Sequence, residues 1–216
     1  MHFHLITLFP NAFDSYLGES IISRAIEEKK IKVSFYNPRD FVTDRWRRVD
    51  QRPFGGGPGM VLQAEPILKA VKKAIGRKDR RHIKIVFFSP GGAQFDTAYA
   101  QKAAGKYKHI ICICGRYEGV DARAIKILRA DHISVGPYVL TGGELPAMLV
   151  MDCIARQIPG VLGKLESLEE NRVASHEVYT RPEVFMWGGK NYRVPEVLRS
   201  GNHKKIDAWK LDKNSL

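Results

Sequence analysis

No apolar run in this chain approaches the roughly 20 residues that a membrane-spanning helix needs. The opening MHFHLITLFP carries no Lys or Arg ahead of its apolar stretch, and Pro10 cuts that stretch short. Neither a membrane anchor nor a secretory leader is expected, and the chain reads as cytoplasmic. Cysteine is scarce: Cys112, Cys114 and Cys153 make an odd number without metal-ligand spacing. Cys112 and Cys114 stand two apart in a β-like run, so they share a face and do not readily bridge. Reduced core thiols are expected, and no metal site. His2, His4 and His82 are scattered and read as structural. GxxxxGK[ST] is absent, which excludes a P-loop, and no GxGxxG opens a helix after the first strand, which leaves a dinucleotide fold unsupported.

Acid is also short. Against 35 Lys and Arg stand 23 Asp and Glu, a net charge of +12 over 216 residues. Such an excess attracts polyanions, with nucleic acid as the leading partner and a merely soluble basic surface as the plain alternative. The cations cluster. Arg45, Arg47, Arg48 and Arg52 surround Trp46 and lead into GGGPG, a second patch runs from Lys72 to Arg81, and Lys204, Lys205, Lys210 and Lys213 mark the end. The Trp46 and arginine cluster suits base stacking and phosphate pairing, or a dimer surface.

Hydrophobic residues make up 44% of the chain, enough to fill a core. Residues 3–9, 31–36, 83–88, 109–114 and 132–135 read as strands. Residues 12–28, 64–75, 98–106, 121–128 and 145–157 read as helices. This alternation predicts an α/β fold, a mostly parallel sheet with helices on both faces. It spans residues 1–160. Residues 161–175 read as a linker, and 176–216 as a short helical, basic C-terminal appendage.

Three strands are followed by glycine-bearing loops: SPGG (residues 89–92), GRYEG (115–119) and VGPYVLTGG (135–143). One such loop reads as an ordinary βα turn. Three at the carboxyl edge of one sheet predict a single pocket rich in backbone donors and acceptors. They carry few cations, which disfavours a triphosphate. An adenosyl group with a small zwitterionic tail needs mainly backbone hydrogen bonds and apolar walls, which Phe88, Val135, Tyr138 and Leu140 would supply.

The segments LFP, PRDF, RPFGGGPGM, FSPGG, CGRYEGVD, SVGPYVLTGGELPAM, IPGVLG, YTRPE and SGNH run in order along nearly the whole chain. With them the chain resembles the bacterial tRNA (guanine-N1)-methyltransferases, the TrmD type of the SPOUT class. The resemblance implies a deep trefoil knot and S-adenosylmethionine as cofactor, with Mg2+ for activity. It also implies a homodimer with an active site shared between subunits, and methylation of guanine N1 at tRNA position 37. Cofactor contacts would fall on Phe88, Pro90 and Gly92, on Gly115, Tyr117 and Glu118, and on Val135, Gly136, Pro137, Tyr138, Val139, Leu140, Gly142, Gly143 and Pro146. RNA contacts would fall on Arg45, Arg48, Arg52, Gly56, Arg181 and His203, the last with a helix-capping role as its alternative. Gly55, Gly56 and Gly57 read as a mobile substrate-side loop.

The methyl of a sulfonium is already activated, so the enzyme mainly aligns an in-line displacement. Guanine N1 must lose a proton, which calls for a general base, and charge then moves onto O6, where a cation helps. Arg156 matches the family arginine with that duty. The family's catalytic Asp, however, is Asn171 here, after Glu169 and Glu170. An amide does not accept the proton as a carboxylate does. Glu170 or Glu169 then substitutes as base, or Asn171 slows the enzyme, or the protein is a weak or inactive SAM- and RNA-binding relative. Gln51 and Pro137 stand where the family favours acids. The chain ends soon after SGNH, where the family continues into a larger helical domain.

Overall fold

The computed structural model describes residues 1–163 and 177–213. In chain order the first strands are β1 (His2–Ile6), β2 (Lys32–Tyr36), β3 (Asp50–Gln51), β4 (Val61–Leu62), β5 (Ile83–Gln94), β6 (His109–Ile113) and β7 (Asp131–Ser134). Between them come helices α1 (Asp14–Leu17), α2 (Ser20–Glu27), α3 (Ala64–Ile75), α4 (Thr97–Lys106) and α5 (Ala122–Leu128), with α6 (Glu144–Arg156) after β7. Five strands form one sheet in the order β2-β1-β6-β5-β7, every pair parallel. β3 and β4 make a small antiparallel pair beside it.

Near-continuous apolar runs such as IKIVFF and HIICI suit parallel strands covered on both sides. Alternation along the strands divides the core in two. Phe3, Leu5, Ile110, Cys112 and Cys114 pack with residues of α2, α4 and α6. Ile6, Ile83, Ile85, Ile111 and Ile113 pack with residues of α3 and α5. Helix α3 buries Ile67, Ala70, Val71 and Ala74, an i, i+3, i+4, i+7 stripe. It ends at Gly76, whose φ of +53° stops the helix, with Lys72 and Lys73 against its negative end. The α/β class, the parallel sheet and the helices on both faces are as the alternation predicts, and Cys112 and Cys114 share a face.

Three readings need correction. The single helix expected over residues 12–28 is a 3-10 turn followed by α1 and α2, broken where Ser20 takes φ +54° after Gly18. The strand expected to stop at Phe88 runs on to Gln94. Phe88 and Ala93 both pair with Ile133, so SPGG is an excursion inside β5 rather than a βα turn. A strand that leaves and rejoins its neighbour at one register position has no periodicity signal. The C-terminal part is not purely helical. It opens with an antiparallel hairpin, β8 (Val184–Trp187) and β9 (Lys190–Arg193), turned by Gly188 and Gly189 at φ +56° and +75°. Helices α7 (Glu196–Arg199) and α8 (His203–Lys213) follow.

Residues Met1–Leu162 form one compact unit and Gly163–Leu216 a second. No helix among the described residues is long and apolar enough to cross a membrane.

Candidate functional site

Strands β6, β5 and β7 are neighbours, so the loops at their carboxyl ends converge. They wall a cavity of about 360 Å³. Of the residues expected to meet a cofactor, Phe88, Pro90, Gly115, Tyr117, Glu118, Val135, Gly136, Tyr138, Val139, Leu140, Gly142, Gly143 and Pro146 all line it. Gly92 and Pro137 do not. Gly92 instead lies against the backbone of β7, where a Cβ would come 2.6 Å from the Ile133 nitrogen, and so lets the excursion return to the sheet. Pro137 is exposed. Phe87, Ser89, Arg116, Gly119, Val120, Ile133, Ser134 and Thr141 line it as well, without having been expected from the sequence. Their signal was present, since each lies inside or beside one of the three loops.

Two glycines are dictated by close approach. A Cβ on Gly143 would sit 2.6 Å from Cys114 Cα, and its own N–H donates to the Gly115 carbonyl at 2.9 Å. A Cβ on Gly136 would enter the Tyr138 ring at 2.2 Å, and that ring is held by its hydroxyl donating to the Val135 carbonyl at 3.0 Å. Gly136 is fixed further through Ser134, whose hydroxyl donates to the Gly136 carbonyl at 2.9 Å.

Beneath the loops lies one charged network. Glu144, the first residue of α6, is buried at 4% exposure. The Thr7 hydroxyl donates to its Oε1 at 2.7 Å, and Arg116 Nε stands 3.0 Å from its Oε2. The Arg116 guanidinium also lies 4.5 Å over the Phe9 ring. A carboxylate at a helix N-terminus is favoured by the helix dipole. Here it also ties the β1, β6 and β7 loops together.

The glycine run is docked onto the same cavity. Glu118 N–H donates to the Met60 carbonyl at 3.0 Å, and Leu62 N–H to the Gly119 carbonyl at 3.0 Å. Gly59, at φ +89°, leaves room for the Glu118 side chain, which a Cβ would meet at 2.6 Å. RPFGGGPGM therefore projects from the rim of the cavity. It presents Arg52 and Gly56 to solvent together with Phe54, which is wholly exposed. Ahead of it, Arg45 lies 5.3 Å over the Trp46 ring, with Arg48 also exposed. Arg47 is taken up by Asp40.

Arg156 is the last residue of α6, at the far end of the helix from Pro146, and does not line the cavity. On α6 it shares a stripe with Leu145, Leu149 and Asp152, spaced i, i+4, i+7, i+11. Leu145 and Leu149 are exposed large apolar residues, at 56% and 38%. Asn171 and Glu170 lie outside the described residues. In the C-terminal unit, Arg181 and His203 are exposed. The capping alternative for His203 belongs to its neighbour, because the Asn202 side chain accepts from Lys205 N–H at 3.2 Å.

A second titratable cluster sits at the amino edge of the sheet. His2, His4 and His109 come together there, with candidate ligand atoms all within 4.8 Å of one another. Burial, reinforced by nearby cations, lowers His2 to about 4 and His4 to about 3, and lowers His109 as well. The two thiols move the opposite way, with burial pushing Cys112 up to about 12 and Cys114 well above its ordinary value.

The family model described as tRNA (Guanine-1)-methyltransferase TrmD matches residues 1–216. The chain is 44% identical to a tRNA (guanine-N(1)-)-methyltransferase of Clostridioides difficile, over 99% of this chain and 92% of that protein. It is 45% identical to one from Magnetococcus marinus, over 97% and 83% respectively. A third, from Buchnera aphidicola, is 41% identical over 99% and 89%.

Proposed function

The chain belongs to the tRNA (guanine-1)-methyltransferase family, and on that premise we propose that it methylates N1 of guanine 37 in tRNA. S-adenosylmethionine is held in the three-loop cavity. The observation that carries this reading is the docking of RPFGGGPGM onto GRYEG. It sets an exposed, arginine-flanked loop at the rim of a pocket made of glycines and apolar walls.

The donor set fits the cofactor. The cavity offers loop amides and carbonyls for the adenine and the amino-acid tail, and Phe88, Val135, Tyr138 and Leu140 as apolar walls. When bound, S-adenosylmethionine supplies an activated methyl group. Mg2+ would meet Glu118 at this cavity, an exposed carboxylate, and that ion typically takes one or two carboxylates and keeps its water. The trefoil knot belongs to the same reading. It is supported by the close passage of the β6 and β7 loops, where Arg116 pairs with Gly142 and no Cβ fits on Gly143.

The chain's own residues then do the following. The loop amides orient the donor, and the arginines around Trp46 hold the anticodon stem by its phosphates. Glu170 takes the N1 proton, and Arg156 stabilises charge on O6. Arg156 lies away from its own chain's cavity, on a helix whose exposed stripe carries Leu145 and Leu149. This favours a homodimer in which α6 of one subunit serves the cavity of the other. The enzyme works in the cytoplasm, where tRNA is. Nothing observed favours an inactive relative, and the matched relatives carry an enzyme's name.

The test uses transcripts with G or A at position 37, and calorimetry with S-adenosylmethionine. Methylation of G37 alone, at N1, is expected, together with one cofactor bound per cavity. Equal transfer to both transcripts would refute the reading. Glu170→Gln is expected to cost activity and Asn171→Asp to raise it, and no change in either removes both from the proton transfer. Mixing Arg156→Ala with a cavity-dead variant should restore part of the activity if the site is shared.

A further inference from the structure

We propose that His2, His4 and His109 form a binding site for a borderline transition-metal ion of the Zn2+ and Co2+ class, at the sheet edge opposite the cavity. His2 and His4 are two apart on β1, so both imidazoles leave the same face. The parallel register sets His109, the first residue of β6, directly beside His2. His4 is fully buried and the other two are half-buried, so the triad is anchored inside and open outside.

Hydrogen bonds hold the outer nitrogens of His2 and His4 and leave the other nitrogen of each ring for a ligand. His4 Nδ1 is taken by the Tyr36 hydroxyl at 3.1 Å, which leaves Nε2 facing His109 Nδ1 at 3.2 Å. His2 Nε2 is taken by Ser34 Oγ at 2.9 Å, which leaves Nδ1. Metal-bound histidines characteristically engage the second ring nitrogen in this way. Two nitrogens of a tetrahedral zinc at about 2.0–2.1 Å lie roughly 3.3–3.4 Å apart, close to the His4–His109 separation. The His2 ligand atom lies within 4.8 Å of the other two. One proton lies in the His4 Nε2–His109 Nδ1 hydrogen bond; binding moves it to the outer nitrogen of the ring that carries it, and solvent completes the shell.

The surroundings select the ion. The chain N-terminus, Lys32, Lys78 and Lys108 all bring positive charge near the triad. A hard ion held by charge alone is disfavoured there, while imidazole nitrogen suits zinc or cobalt. The site lies away from the chemistry, so its effect is to tie the N-terminal strand β1 to β6.

The full chain, stripped with chelator and dialysed, is titrated with ZnCl2 by calorimetry and with CoCl2 by visible absorption. The expected result is one ion per chain and the intense bands of four-coordinate Co2+. His2→Gln and His109→Gln, both outside the apolar core, should each weaken zinc by about tenfold or more, while His82→Gln leaves it unchanged. Zinc should also raise the melting temperature of the wild type and not of His109→Gln. Unchanged zinc affinity in His2→Gln and His109→Gln, or weak six-coordinate Co2+ bands, would overturn the proposal. No step uses methyl transfer as its readout, so failure here leaves the proposed function untouched.

Discussion

Gly143 shows how much one hydrogen atom decides. Its missing Cβ is replaced by Cys114 Cα and the Gly115 amide, both backbone, so neither can swing aside. Gly143→Ala must push the β7 loop off the β6 loop. The expected loss is about 1–3 kcal/mol in urea unfolding, with at least tenfold weaker S-adenosylmethionine binding by calorimetry. Cys112 offers the opposite case, a reactive group made inert. At pH 8 a thiol near 12 is ionised in roughly one part in ten thousand. Iodoacetamide should therefore leave Cys112 and Cys114 unmodified in the native protein and label both in urea, as mass spectrometry would show. Labelling of either thiol under native conditions contradicts their burial. The loop glycines were legible in the sequence because three similar segments recur in similar context. The Thr7–Glu144 bond was not, because 137 residues separate its partners and only the finished sheet brings them together.

At the scale of elements, α6 has two faces with different work. Met151, wholly buried with Val150 and Ile154, belongs to the core, and Met151→Ala should cost about 2–5 kcal/mol in chemical unfolding. Leu145 faces solvent in the single chain. Leu145→Ser should scarcely alter unfolding of the fold itself. It should shift sedimentation toward the monomer at low concentration if the exposed stripe is the dimer surface. Equal destabilisation by both changes would place Leu145 in the core instead. Helix α3 and the strand starts were readable because their periods are long and uninterrupted. The break between α1 and α2 was not, since it rests on one positive φ at Ser20. The return of β5 was not either, since it is a pairing with β7 and leaves no mark on its own run of residues.

Over the whole molecule, the two ends of the sheet hold different chemistry. Glycine loops gather at the carboxyl edge and histidines at the amino edge, and only the strand register reveals the second group. Net charge needs no structure to be counted, and it sets the behaviour toward RNA. Of the cations, Arg47, Arg81 and Arg123 are engaged by neighbouring aspartates. The exposed Arg45, Arg48 and Arg52 flank the loop at the cavity rim. If these and one more cation neutralise about four phosphates, tRNA affinity should fall roughly 50- to 150-fold between 50 and 200 mM salt. Arg45→Ala should reduce the slope of log affinity against log salt by nearly one, with little change in cofactor binding. S-adenosylmethionine held by loop amides and apolar walls should be almost indifferent to the same salt change. Filter binding at four salt concentrations, beside calorimetry with the cofactor, separates the two. A flat tRNA slope would mean that the +12 charge serves solubility and that the arginines around Trp46 face something other than phosphate.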